Sequence, residues 1–334
     1  ALGPPAPPPL LGAFEGDAPV ATRADWETRR APLLRRLFAE RVYGPYPPIT
    51  SAPHVLTRNA IAYAPLADVA TVEQWSVAAD DEDAPPHFNM VLVLPKSVQG
   101  PTPIVIMENF CGNHAAFRDP PPQIAGPLTE VLWACNSQIA APIVEGILGA
   151  NISVPPYRDI IAHGYGVAMF YAGDVVADEP IAARAGLRQL YGDQAEHAGA
   201  IAVWAWLFSR AYDVLAEDPR IDAHRVAIWG HSRNGKAALL AAALDPRIAA
   251  VIAHQSGRGG ASLRAGTEGE TPAKLMAEFP HWFPPQFATT QGEPAFDQHQ
   301  LLALIAPRPV LLGNGARDAW SDPHAAFRAA QAAS

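Results

Sequence analysis

A serine at position 232 lies in the run Val226-Ala227-Ile228-Trp229-Gly230-His231-Ser232-Arg233-Asn234-Gly235-Lys236, and residues 237–244 after it are all Ala or Leu. An apolar strand that enters a glycine-flanked turn and leaves as a helix holds a hydroxyl clear of a sheet, where it can attack an acyl carbon. Glycine is needed at such a turn because a side chain would strike the strand or the helix. The helix start behind the serine points free N–H groups and its positive dipole end at any oxyanion formed there. The run departs from Gly-x-Ser-x-Gly at one place: Asn234 stands at the last position and Gly235 comes one residue later. A Ser between glycines is by itself usually only a turn; the strand before it and the helix after it support the nucleophile reading.

A serine hydroxyl is a weak nucleophile near neutral pH and needs a base, usually His, with a carboxylate to orient it. In an α/β-hydrolase the acid and then the His follow the serine along the chain. Asp318 fits the acid, because it closes the turn Gly313-Asn314-Gly315-Ala316-Arg317-Asp318 after the apolar run Arg308 to Leu312. The plainer alternative is a turn-forming Asp, a part for which Asp322 before Pro323 is better placed. The histidine is harder to place. His324 is the one His beyond Asp318 and lies on a helix as a surface residue would; His299 precedes the acid and breaks the order; His231 and His254 flank the site region with no set direction. The expectation is that the last strand, and the general base with it, lie beyond residue 334. Arg233 and Lys236 put two cations beside the serine. They could be ordinary residues of a helix start, but positive charge in a first turn opposes the macrodipole. That favours a role for Arg233 in holding an oxyanion and for Lys236 in reaching an acidic or hydroxylated ligand.

These residues need a scaffold, and the hydropathy pattern supplies one. Thr28 to Arg41 carries Leu33, Leu34, Leu37 and Phe38 at helical spacing, closed by Gly44. His54 to Ala60, Val72 to Ala78 and Phe88 to Leu94 read as strands. Thr102 to Met107 and Gly166 to Tyr171 are short apolar runs of the kind buried in a sheet. Ala198 to Leu215 is apolar all round and predicts a buried helix. Val251 and Ile252 and the run Arg308 to Leu312 predict further strands, and Asp322 to Ala333 a helix. Glu108 to about Pro156 and Asp174 to His197 read as irregular loops, where function concentrates. Strands alternating with helices predict a mostly parallel sheet between two helical layers, with the site beyond the carboxyl ends of the strands. Residues 1–20 form a Pro-rich segment, read as a stiff linker or a trimmed end, and residues 21–334 one domain that stops short of its C-terminal strand and helix.

Composition narrows the partners. The chain has 334 residues, 49% hydrophobic and 17% charged, with a formal net charge of -9. That describes a globular protein with a sizeable core and argues against nucleic acid or an anionic membrane as partner. No apolar run is long enough to span a bilayer. Cys111 and Cys135 could form one disulfide or remain two buried thiols, and no Cys/His cluster suggests a metal.

The run Gly230 to Lys236 resembles the nucleophile motif of glucuronoyl esterases, especially their bacterial branch. Asn109-Phe110-Cys111-Gly112-Asn113-His114, Gly166 to Asp174, Gly269-Glu270-Thr271, Phe279-Pro280-His281-Trp282-Phe283, Phe296-Asp297-Gln298-His299, Leu304 to Pro309 and Asp318 to Pro323 are similar to stretches of the same family. The resemblance runs from about Trp26 onward. It implies an α/β-hydrolase, without metal or other cofactor, that cleaves esters joining the glucuronic acid units of xylan to lignin alcohols through an acyl-enzyme. Carried onto this chain, Ser232 is the nucleophile, Arg233 the oxyanion partner and Asp318 the acid, while Lys236, Glu270 and Trp320 contact the sugar. A substrate in lignocellulose, which cannot enter a cell, predicts export to the periplasm or the medium, and a monomer is expected. Two departures stand out. Many members carry a Glu on the strand after the nucleophile helix, where this chain has Gln255, and the C-terminal His of relatives has no counterpart here. The alternatives are another serine hydrolase, such as an acetyl xylan esterase or a peptidase, and a uronate-binding protein that keeps the pocket without turnover.

Overall fold

The computed structural model describes residues 6–80, 85–129, 151–265, 269–289 and 296–334. Its centre is a sheet of strands β1 (His54–Ile61), β2 (Ala70–Ala78), β3 (His87–Pro95), β4 (Thr102–Glu108), β5 (Gly166–Phe170), β6 (Ile221–His231), β7 (Ala250–His254) and β8 (Val310–Gly313). The spatial order is β1-β2-β3-β5-β4-β6-β7-β8. The first three strands and the β3–β5 pair run antiparallel, and β5, β4, β6, β7 and β8 are mutually parallel. All the predicted strands are present, within a few residues of their expected ends.

The apolar runs of the central strands have a direct cause. In β3, Met90, Leu92 and Leu94 face the larger core, while Val91 and Val93 face the smaller one. In β5, Ala168 and Phe170 take the first side and Val167 and Met169 the second. Side chains alternate across a strand, so a sheet covered on both faces needs apolar residues at every position.

Helices α1 (Ala31–Phe38), α2 (Tyr157–Ala162), α3 (Pro180–Tyr191), α4 (Ala200–Ala216), α5 (Arg233–Leu244), α6 (Pro272–Glu278), α7 (Gln298–Ala303) and α8 (Pro323–Ala333) flank the sheet. α4 is buried over nearly all its length, as its all-round apolar surface requires. α3 corrects the reading of Asp174 to His197 as irregular. Gly186 interrupts its helical pattern, and that glycine is there because a Cβ would come within 2.9 Å of the Val175 carbonyl. Pro180 sits at the helix start, where a missing N–H costs nothing, and Glu179 caps the helix by accepting from the amides of Ile181 and Ala182.

The Pro-rich start docks on the domain from residue 6 onward. Buried Arg30 donates to the carbonyls of Leu10, Gly12 and Ala18 and pairs with Asp17, and Phe14 packs edge-on against Phe296. Cys111, in the loop after β4, is disulfide-bonded, and Cys135 lies outside the described residues.

Candidate active site

β6 ends at His231, and Ser232 takes φ 54 and ψ −123 before α5 begins. A non-glycine residue at positive φ is strained and persists only where its surroundings hold it. Here the Ser232 amide donates to the His254 carbonyl at 2.8 Å, and the Lys236 amide donates to the Ser232 carbonyl at 3.0 Å. A Cβ on Gly230 would stand 2.1 Å from the Asn234 carbonyl oxygen, so the turn closes only over glycine. Asn234 explains the departure from the general motif. It is buried, and its Nδ2 donates to the Glu108 carbonyl at 3.0 Å, tying the elbow to the end of β4. The Ser232 side chain makes no capping bond to α5, and the residue is half-buried.

Asp318 follows β8, next but one to β6 in the sheet. Its Oδ2 accepts from Gln255 Nε2 at 2.8 Å, and its Oδ1 accepts from the amides of Trp320 at 3.1 Å and Ser321 at 3.4 Å. Burial pushes the Asp318 carboxyl up, but the hydrogen bonds from Ser321, Gln255 and Trp320 outweigh it and leave the pKa below its ordinary value. It is an oriented carboxylate at neutral pH.

The four histidines weighed on sequence take separate places. His299 is buried on α7 with Nε2 against the Pro8 carbonyl at 2.9 Å. His324 is exposed in the first turn of α8. His254 Nδ1 accepts from Trp229 Nε1 at 3.3 Å. His231 is buried, edge-on to Phe110. Burial, then His254 and Arg233, draw its pKa down to about 4 against an opposing pull from Asp318, so the ring is neutral at pH 7. Among the described residues no imidazole is hydrogen-bonded to the Ser232 hydroxyl.

Arg233 is anchored rather than free. Its Nε pairs with Asp178 Oδ2, and its guanidinium carbon lies 4.7 Å from the Phe110 ring centroid and 5.7 Å from that of Trp282. Asp178 Oδ1 accepts from His281 Nε2 at 2.9 Å and from Trp282 Nε1 at 2.8 Å. Burial pushes the Asp178 carboxyl up, but Arg233 and these two hydrogen bonds hold it below the usual carboxylate range. Close by, Glu108 is buried with Oε2 unbonded. Burial raises its pKa far above the carboxylate range, and Arg233 only partly opposes this.

Lys236 is fully buried, and its ammonium donates to the carbonyls of Ser256 at 2.8 Å and Arg258 at 2.9 Å and to Glu270 Oε1 at 2.6 Å. Those three bonds use all its hydrogens, so a sugar hydroxyl could reach this nitrogen only by exchange for one of them. Gly257 makes the approach possible, since a Cβ there would lie 1.5 Å from Glu270 Oε1. The Glu270 amide donates to the Trp320 carbonyl at 3.0 Å, which ties the backbone of the exposed Trp320 to that of Glu270.

The fold links Ser232 and Lys236 on one elbow to Glu270 and, through the Glu270 amide, to Trp320, and holds Asp318 against Gln255. Asp178, His281, Trp282 and Glu108 gather around Arg233, a grouping the sequence did not predict. The one available signal was the dense aromatic run Phe279 to Phe283, with a His and a Pro inside a loop. Among the described residues there is no group of His, Cys, Asp and Glu able to hold a metal ion, and no helix long and apolar enough to cross a membrane.

A strained serine at a strand-to-helix elbow, a carboxylate after a later strand and a cation at the helix start define a serine hydrolase of the α/β-hydrolase fold. A family model described as "Glucuronyl esterase, fungi" matches residues 131–334. The chain is 31% identical over 332 residues to Carbohydrate esterase MZ0003 of an unknown prokaryotic organism, covering 94% of this chain and 74% of that protein. It is 35% identical over 175 residues to 4-O-methyl-glucuronoyl methylesterase 1 of Sodiomyces alcalophilus, covering 48% of this chain and 35% of that protein. The glucuronoyl esterase from Solibacter usitatus superposes with a TM-score of 0.81 at 30% identity over 100% of this chain and 86% of that one. This chain belongs to the glucuronoyl esterase family and is a carboxylic ester hydrolase.

Proposed function

We propose that this enzyme hydrolyses esters of glucuronic acid carboxylates, those joining lignin alcohols to glucuronoxylan, outside the cytoplasm and as a monomer. Ser232 Oγ attacks the ester carbonyl as its proton passes to a general base on the Asp318 side of the elbow, a part that no imidazole among the described residues is placed to take. The tetrahedral oxyanion meets Arg233 and the N–H groups at the start of α5. The C–O bond to the alcohol then breaks, the alcohol leaves with the proton, and water hydrolyses the acyl-enzyme by the same steps in reverse. Glu270 and, by exchange of one of its three internal bonds, Lys236 read the sugar hydroxyls, and Trp320 offers an apolar face to the ring.

The observation that carries the reading is the pairing of the strained Ser232 elbow with Arg233 as the very next residue. A cation there serves an anionic intermediate, and it opposes the helix dipole if it serves only stability. The names of the relatives supply the uronate. The test is hydrolysis of a methyl glucuronate ester, acetylated xylan and a peptide by the wild-type chain and by Ser232→Ala. Turnover of the uronate ester alone, lost in Ser232→Ala, supports the reading. Preference for acetyl groups assigns the chain to acetyl xylan, and equal activity in Ser232→Ala removes the nucleophile.

A further inference from the structure

A guanidinium carries five N–H bonds, one of them on Nε. In Arg233 that one faces Asp178 Oδ2, which leaves the four Nη hydrogens for the site. The guanidinium carbon also lies 4.7 Å from the Phe110 ring centroid and 5.7 Å from that of Trp282, and these two rings hinder its turning about the Nε contact. Asp178 is itself fixed on two sides. Its Oδ1 accepts from His281 and Trp282, and the next residue, Glu179, caps α3. The His281–Trp282 backbone is bound in turn to the start of the buried helix α4, through the Ala200 amide to the His281 carbonyl at 2.9 Å and the Ile201 amide to the Trp282 carbonyl at 3.3 Å. A continuous set of contacts thus runs from the long buried helix α4 to the cation beside the nucleophile.

We propose that Asp178 is a positioning residue for ester hydrolysis, acting through Arg233 by aiming its Nη donors at the oxyanion. The inference rests on the reading of Arg233 as the oxyanion partner. Removing the Asp178 charge has two opposed consequences. An unneutralised guanidinium attracts an anion more strongly, whereas a guanidinium free to swing loses the preorganisation on which oxyanion stabilisation depends. A positioning role requires the second to win, so the sign of the effect decides.

The experiment compares Asp178→Asn, Arg233→Ala and the double variant by two readouts: kcat and KM on a methyl glucuronate ester, and calorimetric binding of free glucuronate, which needs no turnover. Asp178→Asn is expected to lower kcat by about tenfold or more with KM within about threefold, and to weaken glucuronate by about threefold. It should add less than about twofold to either loss once Arg233 is Ala. Trp282→Phe removes one of the bonds to Asp178 and gives a smaller loss with the same dependence on Arg233, which covers the case of a poorly folded Asp178 variant. A kcat or affinity that rises or stays unchanged in Asp178→Asn overturns the inference, as does a loss of undiminished size in the Arg233→Ala background. Wild-type values in Arg233→Ala itself would instead overturn the oxyanion reading, and this inference with it.

Discussion

Gln255 Nε2 donates to Asp318 Oδ2 at 2.8 Å. Gln255 follows β7 and Asp318 follows β8, so the two sequence positions open to a triad acid converge on one point beside the elbow. The amide at 255 cannot serve as a carboxylate, but it fixes the carboxylate at 318. Moving the charge across this hydrogen bond should therefore preserve much of the function. Asp318→Asn is expected to lower kcat by about a hundredfold. Adding Gln255→Glu should restore about tenfold or more of that loss, read in kcat on a methyl glucuronate ester. Gln255→Glu alone sets two carboxylates in contact, one of which takes up a proton, and should move the acid limb of the pH–rate profile upward. A double variant no better than Asp318→Asn would show that position 255 lies outside the reach of the base.

The elbow strain at Ser232 gives a second expectation. A residue with a side chain at φ 54 and ψ −123 costs about 1–3 kcal/mol, which glycine escapes. Ser232→Gly should abolish hydrolysis while raising the unfolding free energy by about 1 kcal/mol. Ser232→Ala should abolish hydrolysis without that gain. Urea unfolding of the three proteins makes the comparison, and equal stability of the Gly and Ala variants would mean the turn is relaxed.

Lys236 and Glu270 form a buried pair, with burial drawing the lysine pKa down and the glutamate pKa up against their mutual attraction. Breaking such a pair from one side leaves an uncompensated charge, so Lys236→Ala should cost about 3–5 kcal/mol in unfolding free energy. Lys236→Met with Glu270→Leu removes both charges and should recover most of that cost. Both variants should lose more activity on a uronate ester than on a plain aryl acetate. Identical losses on the two esters would take the pair out of sugar recognition and leave it a purely internal strut.

What the sequence disclosed follows the range of the interactions involved. The nucleophile turn was legible because Gly230, Ser232 and Gly235 fall within six residues of sequence and their constraint is steric. The central strands were legible because burial on both faces writes an unbroken apolar run. The anchoring of Arg233 was not legible: Asp178 and His281 are 103 residues apart, and nothing in the local pattern around either one names its partner. The complete burial of Lys236 was hidden for a related reason. Lysines are ordinarily exposed, and its acceptors come from Ser256, Arg258 and Glu270 on loops whose convergence is a property of the fold. α3 was missed because Gly186 breaks its pattern in favour of a tight approach to Val175.

Two buried histidines predict the response to acid. Burial draws the His299 pKa down to about 4, only partly offset by its bond to the Pro8 carbonyl, and His231 reaches about 4 mainly through burial. In the unfolded chain each titrates near about 6.5. Between those values the unfolded state binds protons that the folded state does not, so their contribution is complete above about pH 6.5 and is lost as pH falls toward about 4. Each ring is worth up to about 3 kcal/mol over that window. His299→Gln keeps an N–H donor for the Pro8 carbonyl and removes the titration. It should flatten the rise of unfolding free energy with pH between pH 4.5 and 6 by about 1 kcal/mol per pH unit, measured by urea unfolding at each pH. An unaltered slope would mean that this ring takes up its proton as readily folded as unfolded, which its burial on α7 against the Pro-rich segment does not allow.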